Sequence, residues 1–138
     1  MKNLQLSLKK KWFDLTKAGI KTEDYREINP YWFTRLIFQK ERLCNYFGIT
    51  NPSINQYSVN RILFNKTTAS MVAFKPFTQN IMTLGYPKST DTDRILKLEH
   101  KGIEIRTGNP EWGAEPDKLY FVILHGKQVT TTDLTINH

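Results

Sequence analysis

The residues with the clearest chemical potential lie in the stretch GIKTEDYREI, residues 19–28. Lys21, Asp24 and Arg26 bring two cations and a carboxylate close together in sequence. If the stretch is one strand, Asp24 and Arg26 share a face with the isoleucines that flank them. Burying either charge without a partner would cost several kcal/mol. The pattern therefore predicts either a structural Asp24–Arg26 ion pair or a polar pocket that binds a base or nucleotide.

Lys21 precedes Asp24 by three positions, so the two side chains would point to opposite faces of a regular strand. They can converge only if the backbone bends at Gly19–Lys21. Gly19 is itself suited to the end of a helix, where a left-handed conformation is common. A two-residue site built from Lys21 and Asp24 therefore depends on the turn that precedes the strand.

Three consecutive lysines, Lys9, Lys10 and Lys11, begin the first predicted helix. The free N–H groups of a helix N-terminus bind anions, and lysines beside them would add to a phosphate site. Lysines are also common in solvated turns, and cations at this end of a helix oppose its dipole. Both an anion site and a solvated basic turn are open.

Aromatic residues with basic neighbours lie elsewhere in the chain. Trp32 and Arg35 follow the first stretch, and Trp112 lies in the Gly/Pro-rich segment TGNPEWGAEPDK. A base that stacks on such a ring gains about 1–3 kcal/mol. Trp32 could equally be a core residue of a helix, so both interpretations stay open.

Composition indicates one folded domain over residues 1–138, with a net charge of +7 that favours polyanionic partners such as nucleic acid. The single cysteine, Cys44, excludes an internal disulfide, and no apolar stretch is long enough for a membrane span. We therefore expect a cytoplasmic protein with no membrane partner.

His100, His125 and His138 are too widely spaced for a metal motif, so we expect no metal and no cofactor. His100 and His125 are expected at the surface, near strand ends.

The helices expected to position these residues lie before residue 58, and the sequence after it is expected to form short strands. Helical spacing and caps predict a helix over about Lys10–Ala18 and a long helix over 29–48, with Asn29 as N-cap and Gly48 after its end. Strands are predicted at 4–8 and 20–28, a loop at 49–58, and a frayed tail at 130–138. After residue 58 the runs VNRILFN, ASMVAFKPF, NIMTLGY, RILKLEHKG, IEIRTG and KLYFVILHG read as short strands, with a hairpin around Gly102. The expected fold is α+β, a small mixed β-barrel with two helices packed on it.

The stretch GIKTEDYR resembles the G-x-K-x-x-E-x-R signature of ASCH domains, with Asp24 in place of the usual glutamate. The preceding LSLKKKWFDLTKAG and the late WGAEPDKLYFVILHGKQV are also similar to the opening and closing parts of ASCH-like proteins from bacteria and their phages. The resemblance implies a PUA-like β-barrel with a cleft lined by Lys21, Asp24 and Arg26. It further implies binding of RNA or of a modified nucleotide.

Two other functions are left open, together with the oligomeric state. Some ASCH relatives are amidohydrolases that use the signature lysine as base and a threonine at the position of Asp24 as nucleophile. A carboxylate is a poor nucleophile towards an amide, so Asp24 disfavours that activity, although Asp24 acting as base on water remains possible. The second alternative is a protein-interaction domain that uses one helix face formed by Tyr31, Arg35, Phe38 and Arg42.

Overall fold

The computed structural model describes residues 2–48 and 54–129. Within these residues the elements follow one another as β1 (Lys2–Leu8), α1 (Lys10–Lys17), β2 (Glu23–Arg26), α2 (Pro30–Leu36), α3 (Lys40–Phe47), α4 (Gln56–Phe64), α5 (Lys66–Ala69), β3 (Phe77–Leu84), β4 (Ile95–Thr107) and β5 (Leu119–Gln128). The strands form one sheet in the order β1-β3-β4-β5-β2. The α+β class is confirmed, whereas the expectation of two helices is wrong because the described residues contain five.

The chain divides into two compact units, each assembled from separate stretches of sequence. The described residues of the first unit are 2–24, 76–102 and 123–129, and those of the second are 25–48, 54–75 and 103–122. Strands β2, β4 and β5 each contribute residues to both units. Among the described residues, no helix is both long and apolar enough to cross a membrane.

The first unit is built on the parallel pairing of β1 with β3 and the antiparallel pairing of β3 with β4. Leu6 of β1 lies beside Met82 of β3, which lies beside Leu96 of β4, and all three are buried. The neighbouring row runs from Leu4 through Asn80 to Leu98. An asparagine therefore occupies a core position of an otherwise apolar layer, where its amide must find hydrogen-bond partners.

Helix α1 ends in a turn that sets the direction of the following chain. Gly19 adopts a φ of +78°, and the N–H groups of Ile20 and Lys21 both donate to the carbonyl of Leu15. Since residues 20–22 are used in this turn, β2 begins only at Glu23. The strand predicted over 20–28 is confirmed only for Glu23–Arg26, and Ile20, which was expected to share the buried face with Asp24, is exposed.

The second unit contains a break where the sequence predicts one helix over 29–48. Asn29 caps α2 as expected, by accepting from the N–H of Trp32 at 2.9 Å. The helix then ends because Ile37 becomes extended and pairs with Phe74, while Gln39 adopts a φ of +52° before α3 begins. The helix face formed by Tyr31, Arg35, Phe38 and Arg42 therefore does not exist as one continuous surface.

Three further predictions fail after residue 54. The run VNRILFN lies in helix α4, whose N-cap Asn55 forms a capping box with Ser58, and Val59 and Ile62 are buried at helical spacing. No hairpin forms at Gly102, because β4 continues through it although its φ is +119°. The run ASMVAFKPF joins the strand β3 only at Phe77. The predicted tail at 130–138 and part of the predicted loop at 49–58 lie outside the described residues.

The break between α2 and α3 makes a prediction about Gln39. A residue with a side chain loses about 1–2 kcal/mol in the left-handed region that glycine adopts freely. We expect Gln39→Gly to be more stable than the matched control Gln39→Ala by about 1 kcal/mol, measured by urea unfolding. In an uninterrupted helix the order would reverse, with alanine more stable by about 1 kcal/mol, and that result would contradict the break.

Candidate functional site

Lys21 and Asp24 converge in the first unit because of the turn after α1. The ammonium of Lys21 lies 3.1 Å from Oδ1 of Asp24 and donates to the carbonyl of Glu23 at 2.6 Å. The two charged side chains are only 1% and 8% exposed. The two side chains predicted to point apart in a regular strand are therefore paired, because the bend at Gly19 redirects Lys21.

Lys21 also lies in the wall of a cavity of about 260 Å³ in the same unit. The described residues around this Lys21 cavity belong to the end of α1 and the turn after it, to β4 and to the end of β5; they are Thr16, Lys17, Ala18, Gly19, Lys21, Thr22, Leu98, His125, Gly126, Lys127 and Gln128. Lys17 and Lys127 are exposed. The cavity thus has a buried cation in its wall and two solvated cations at its rim.

Asp24 is not among the described residues that line this cavity. Its carboxylate instead accepts a hydrogen bond from Lys21 and so pairs the buried cation, which would be more costly to bury alone. The Lys21 ammonium contacts oxygen acceptors at both Glu23 and Asp24, as a protonated amine that donates hydrogen bonds does. This geometry gives Asp24 the role of positioning Lys21.

His125, which sequence reasoning placed at the surface, lies in the wall of the Lys21 cavity. Its Nδ1 is 2.7 Å from the side-chain nitrogen of Asn80, and the side-chain oxygen of Asn80 is 2.7 Å from Nδ1 of His100. The prediction of two surface histidines near strand ends is wrong, because both are half-buried within strands and bond the fully buried Asn80 amide. We call these three residues the His–Asn–His chain.

The surroundings of the His–Asn–His chain keep the imidazoles of His100 and His125 neutral. Burial lowers the pKa of His125 to about 4, with nearby Lys21 acting in the same direction and Asp24 opposing it. Burial also lowers the pKa of His100. At neutral pH the cavity wall therefore carries an uncharged imidazole beside a lysine that is already paired.

The second unit contains an arrangement of different character around Trp32. The guanidinium groups of Arg26 and Arg35 lie 5.0 and 5.4 Å from the centre of the Trp32 ring. Arg35 also lies over the ring of Tyr31 and donates to its hydroxyl at 3.3 Å. We call these four residues the Arg–Trp cluster; it combines aromatic surface with two cations, as nucleic-acid contacts commonly do.

The other predicted site residues are placed separately. Lys10 pairs with Asp14 at 2.6 Å and Lys11 lies over the ring of Trp12, and both lysines and Lys9 are exposed. Trp112 ends a 3-10 helix over Pro110–Trp112 and is half-buried. Whether these residues contact a ligand stays a prediction.

A larger cavity, of about 540 Å³, lies in the second unit between α3, α4 and α5. Aromatic residues dominate it, with Tyr57 and Phe64 largely exposed and Arg61 over the Tyr57 ring. Its described lining contains one cation and no buried ion pair. The smaller Lys21 cavity is the stronger candidate site because charged and titratable groups converge there.

Within the described residues, no group of three or more His, Cys, Asp or Glu side chains could hold a metal ion.

Comparisons with protein-family models, with curated proteins and with solved structures find no match to this chain. The resemblance to ASCH domains thus stays a prediction based on the motif.

The contact between His125, Asn80 and His100 could not be predicted from a motif. These residues match none, and they lie far apart in sequence. Asn80 shares the inward face of β3 with Met82, where a polar residue requires partners, but residues 77–84 do not alternate in sequence and gave no sign of that face.

The lowered pKa of His125 predicts a pH dependence of stability. The unfolded chain takes up a proton at His125 near pH 6.5, whereas the folded protein does so only near pH 4. The stability that His125 contributes is therefore present above pH 6.5 and is lost as the pH falls to 4, by about 2–3 kcal/mol. Urea unfolding at pH 7, 5.5 and 4 measures this loss.

The matched control is His125→Gln, which keeps a polar side chain without a proton to gain. We expect the free energy of unfolding to fall less steeply with acidification in this variant than in the parent protein. His100 titrates in both proteins, so its contribution cancels in the comparison. Parallel pH profiles would show that His125 has an ordinary pKa in the folded state.

Proposed function

We propose that this protein binds single-stranded RNA or a modified nucleotide in the Lys21 cavity. The observation that carries the proposal is a buried, paired lysine in the wall of an open cavity whose rim holds two exposed lysines. A phosphate at the rim would meet Lys17 and Lys127, while the nucleoside would enter towards His125. The net charge of +7 adds long-range attraction for a polyanion.

The Arg–Trp cluster offers a second type of contact to the same class of ligand. Arginine and tryptophan together provide a stacking surface and a phosphate partner, without requiring a particular base. We propose that the cluster contacts the RNA chain without reading its sequence. A PUA-like barrel of the ASCH type, which the motif implies, is proposed as the fold that carries both features.

Lys21 itself is a poor test of binding. Removing its charge takes away the cation that pairs with the buried Asp24, which costs about 3–5 kcal/mol of stability in comparable pairs. A loss of binding in such a variant would not be distinguishable from a loss of folding. The exposed lysines at the rim separate the two effects because no buried charge depends on them.

The proposal is tested by titrating a fluorescently labelled 10-nucleotide RNA and following its anisotropy at several salt concentrations. We expect affinity to fall as salt rises, because bound cations release counterions from the phosphates. The variant Lys17→Gln/Lys127→Gln should bind more weakly, and the slope of log affinity against log salt should decrease by about 0.7 for each phosphate that the variant no longer neutralises.

Lys88→Gln provides the matched control, since Lys88 is also an exposed lysine of the first unit but does not line the cavity. Lys88→Gln should weaken binding less than Lys17→Gln or Lys127→Gln does alone, and it should leave the salt slope nearly unchanged. Binding that is absent, independent of salt, or equally weakened by Lys88→Gln would contradict nucleotide recognition at the Lys21 cavity.

A further inference from the structure

The larger cavity of the second unit, between α3, α4 and α5, is bordered by aromatic side chains that the fold leaves in water. Tyr57 and Phe64 of α4 are 72% and 93% exposed, and Tyr46 of α3 is 61% exposed. The aliphatic residues Leu43 and Ile62 of the same two helices are buried instead. Exposed rings gathered on one concave surface indicate a binding site, because the fold itself gains no burial from them. We call this cavity the aromatic groove.

The polar groups of the aromatic groove are two amides, a hydroxyl and one guanidinium, those of Asn60, Asn65, Thr68 and Arg61, besides the tyrosine hydroxyls. The side-chain oxygen of Asn65 accepts from the N–H of Thr67 at 2.8 Å, which leaves its NH₂ group to donate to a ligand. No carboxylate belongs to the described lining. Such a surface suits a ligand with flat rings, hydrogen-bond acceptors and negative charge.

The charge around the aromatic groove favours an anionic ligand. The sequence contains no Asp or Glu between Glu41 and Asp91. Helices α4 and α5 therefore carry only cations, Arg61 and Lys66, and both are exposed. Helix α3 adds Lys40 and Arg42 against the single carboxylate of Glu41. The three helices thus present an excess of positive charge beside the exposed rings, which is complementary to a phosphate chain.

Unpaired nucleotides match this surface better than a protein helix does. A groove that holds the apolar face of a protein helix presents a broad hydrophobic surface, often rich in methionine. The aliphatic side chains that could form such a surface are buried here, and rings with polar neighbours face the solvent. Rings stack on bases, amides bind base edges, and a guanidinium contacts phosphate.

We propose that the aromatic groove binds single-stranded RNA by stacking unpaired bases on Tyr57 and Phe64. Arg61, which lies 6.0 Å from the centre of the Tyr57 ring, contacts the phosphate chain of the stacked bases. The groove has a volume of about 540 Å³ against about 260 Å³ for the Lys21 cavity, so it offers room for more than one base. It is a second binding surface, and it does not require that the Lys21 cavity binds RNA.

Stacking requires bases that are not paired in a duplex, and this requirement provides the first test. The probe is a fluorescently labelled 10-nucleotide RNA without self-complementarity, used alone and annealed to its complement at pH 7. The full chain carrying Lys17→Gln/Lys127→Gln serves as the background, so that the rim of the Lys21 cavity contributes little. We expect the single strand to bind at least about fivefold tighter than the duplex, the effect of one stacked base.

Substitutions of the exposed rings locate the contact. Tyr57→Ser and Phe64→Ser should each weaken single-strand binding by about fivefold or more. Both rings are largely exposed, so their removal takes little packing from the core. The matched control is Tyr86→Ser, because Tyr86 is 98% exposed, belongs to the first unit and lines neither the groove nor the Lys21 cavity. It should change the affinity by less than about twofold.

The salt dependence separates the ring contacts from the phosphate contact. Arg61→Gln should decrease the slope of log affinity against log salt by about 0.7, because one phosphate is no longer neutralised. Tyr57→Ser should weaken binding without changing this slope, since stacking on an uncharged ring releases no counterions. Loss of folding in a variant would not imitate this difference between the two substitutions.

The outcomes distinguish the inference from RNA binding at the Lys21 cavity. Equal effects of Tyr57→Ser and Tyr86→Ser, or a duplex that binds as tightly as the single strand, would overturn the inference even if the Lys21 cavity binds RNA. Weakening by the groove substitutions, with no effect of Lys17→Gln/Lys127→Gln, would support the groove and contradict the cavity. A dimer in sedimentation velocity that Phe64→Ser dissociates, with RNA affinity unchanged, would show a contact between copies and overturn the inference. Absence of RNA binding would overturn both proposals.

Discussion

The buried amide of Asn80 is the constraint around which the first unit is organised. It lies in an apolar row between Leu4 and Leu98, where an unpaired amide would cost as much as several good packing contacts contribute. Two histidines and a backbone carbonyl satisfy it. Because all three partners are needed, the positions of β4 and β5 relative to β3 within this unit are tied to hydrogen-bond geometry as well as to packing.

The buried Lys21–Asp24 pair follows the same logic. An ion pair of this kind adds little net stability compared with apolar residues, but removing either partner is expensive. Its retention is therefore better explained by what it presents to the cavity than by what it contributes to folding. Lys21 of the ion pair and His125 of the His–Asn–His chain both line one small cavity, and the ligand binding proposed above would give their stability cost one common reason.

Local signals in the sequence were reliable where a single residue determines the backbone. Asn29 caps α2 and Gly19 ends α1 in a left-handed turn, because those conformations depend on the residue itself and its nearest neighbours. The same reasoning failed across residues 36–39. Helical periodicity continues there, but hydrogen bonds from Phe38 to Ala73 and from Lys75 to Leu36 end the helix. Those partners are far away in sequence, so no local pattern could reveal them.

The sequence by itself determined the α+β class, the first strand and helix, and the turn at Gly19 on which any convergence of Lys21 and Asp24 depends, since composition, caps and turn residues are local properties. Only the tertiary structure decided that Lys21 turns inward onto Asp24, that Arg26 lies over Trp32, and that His125 and His100 are joined through Asn80. The physical reason is that a buried polar group selects its partners in space. Strand pairing brings residues 80, 100 and 125 together. They are so far apart in sequence that no periodic pattern could predict their contact.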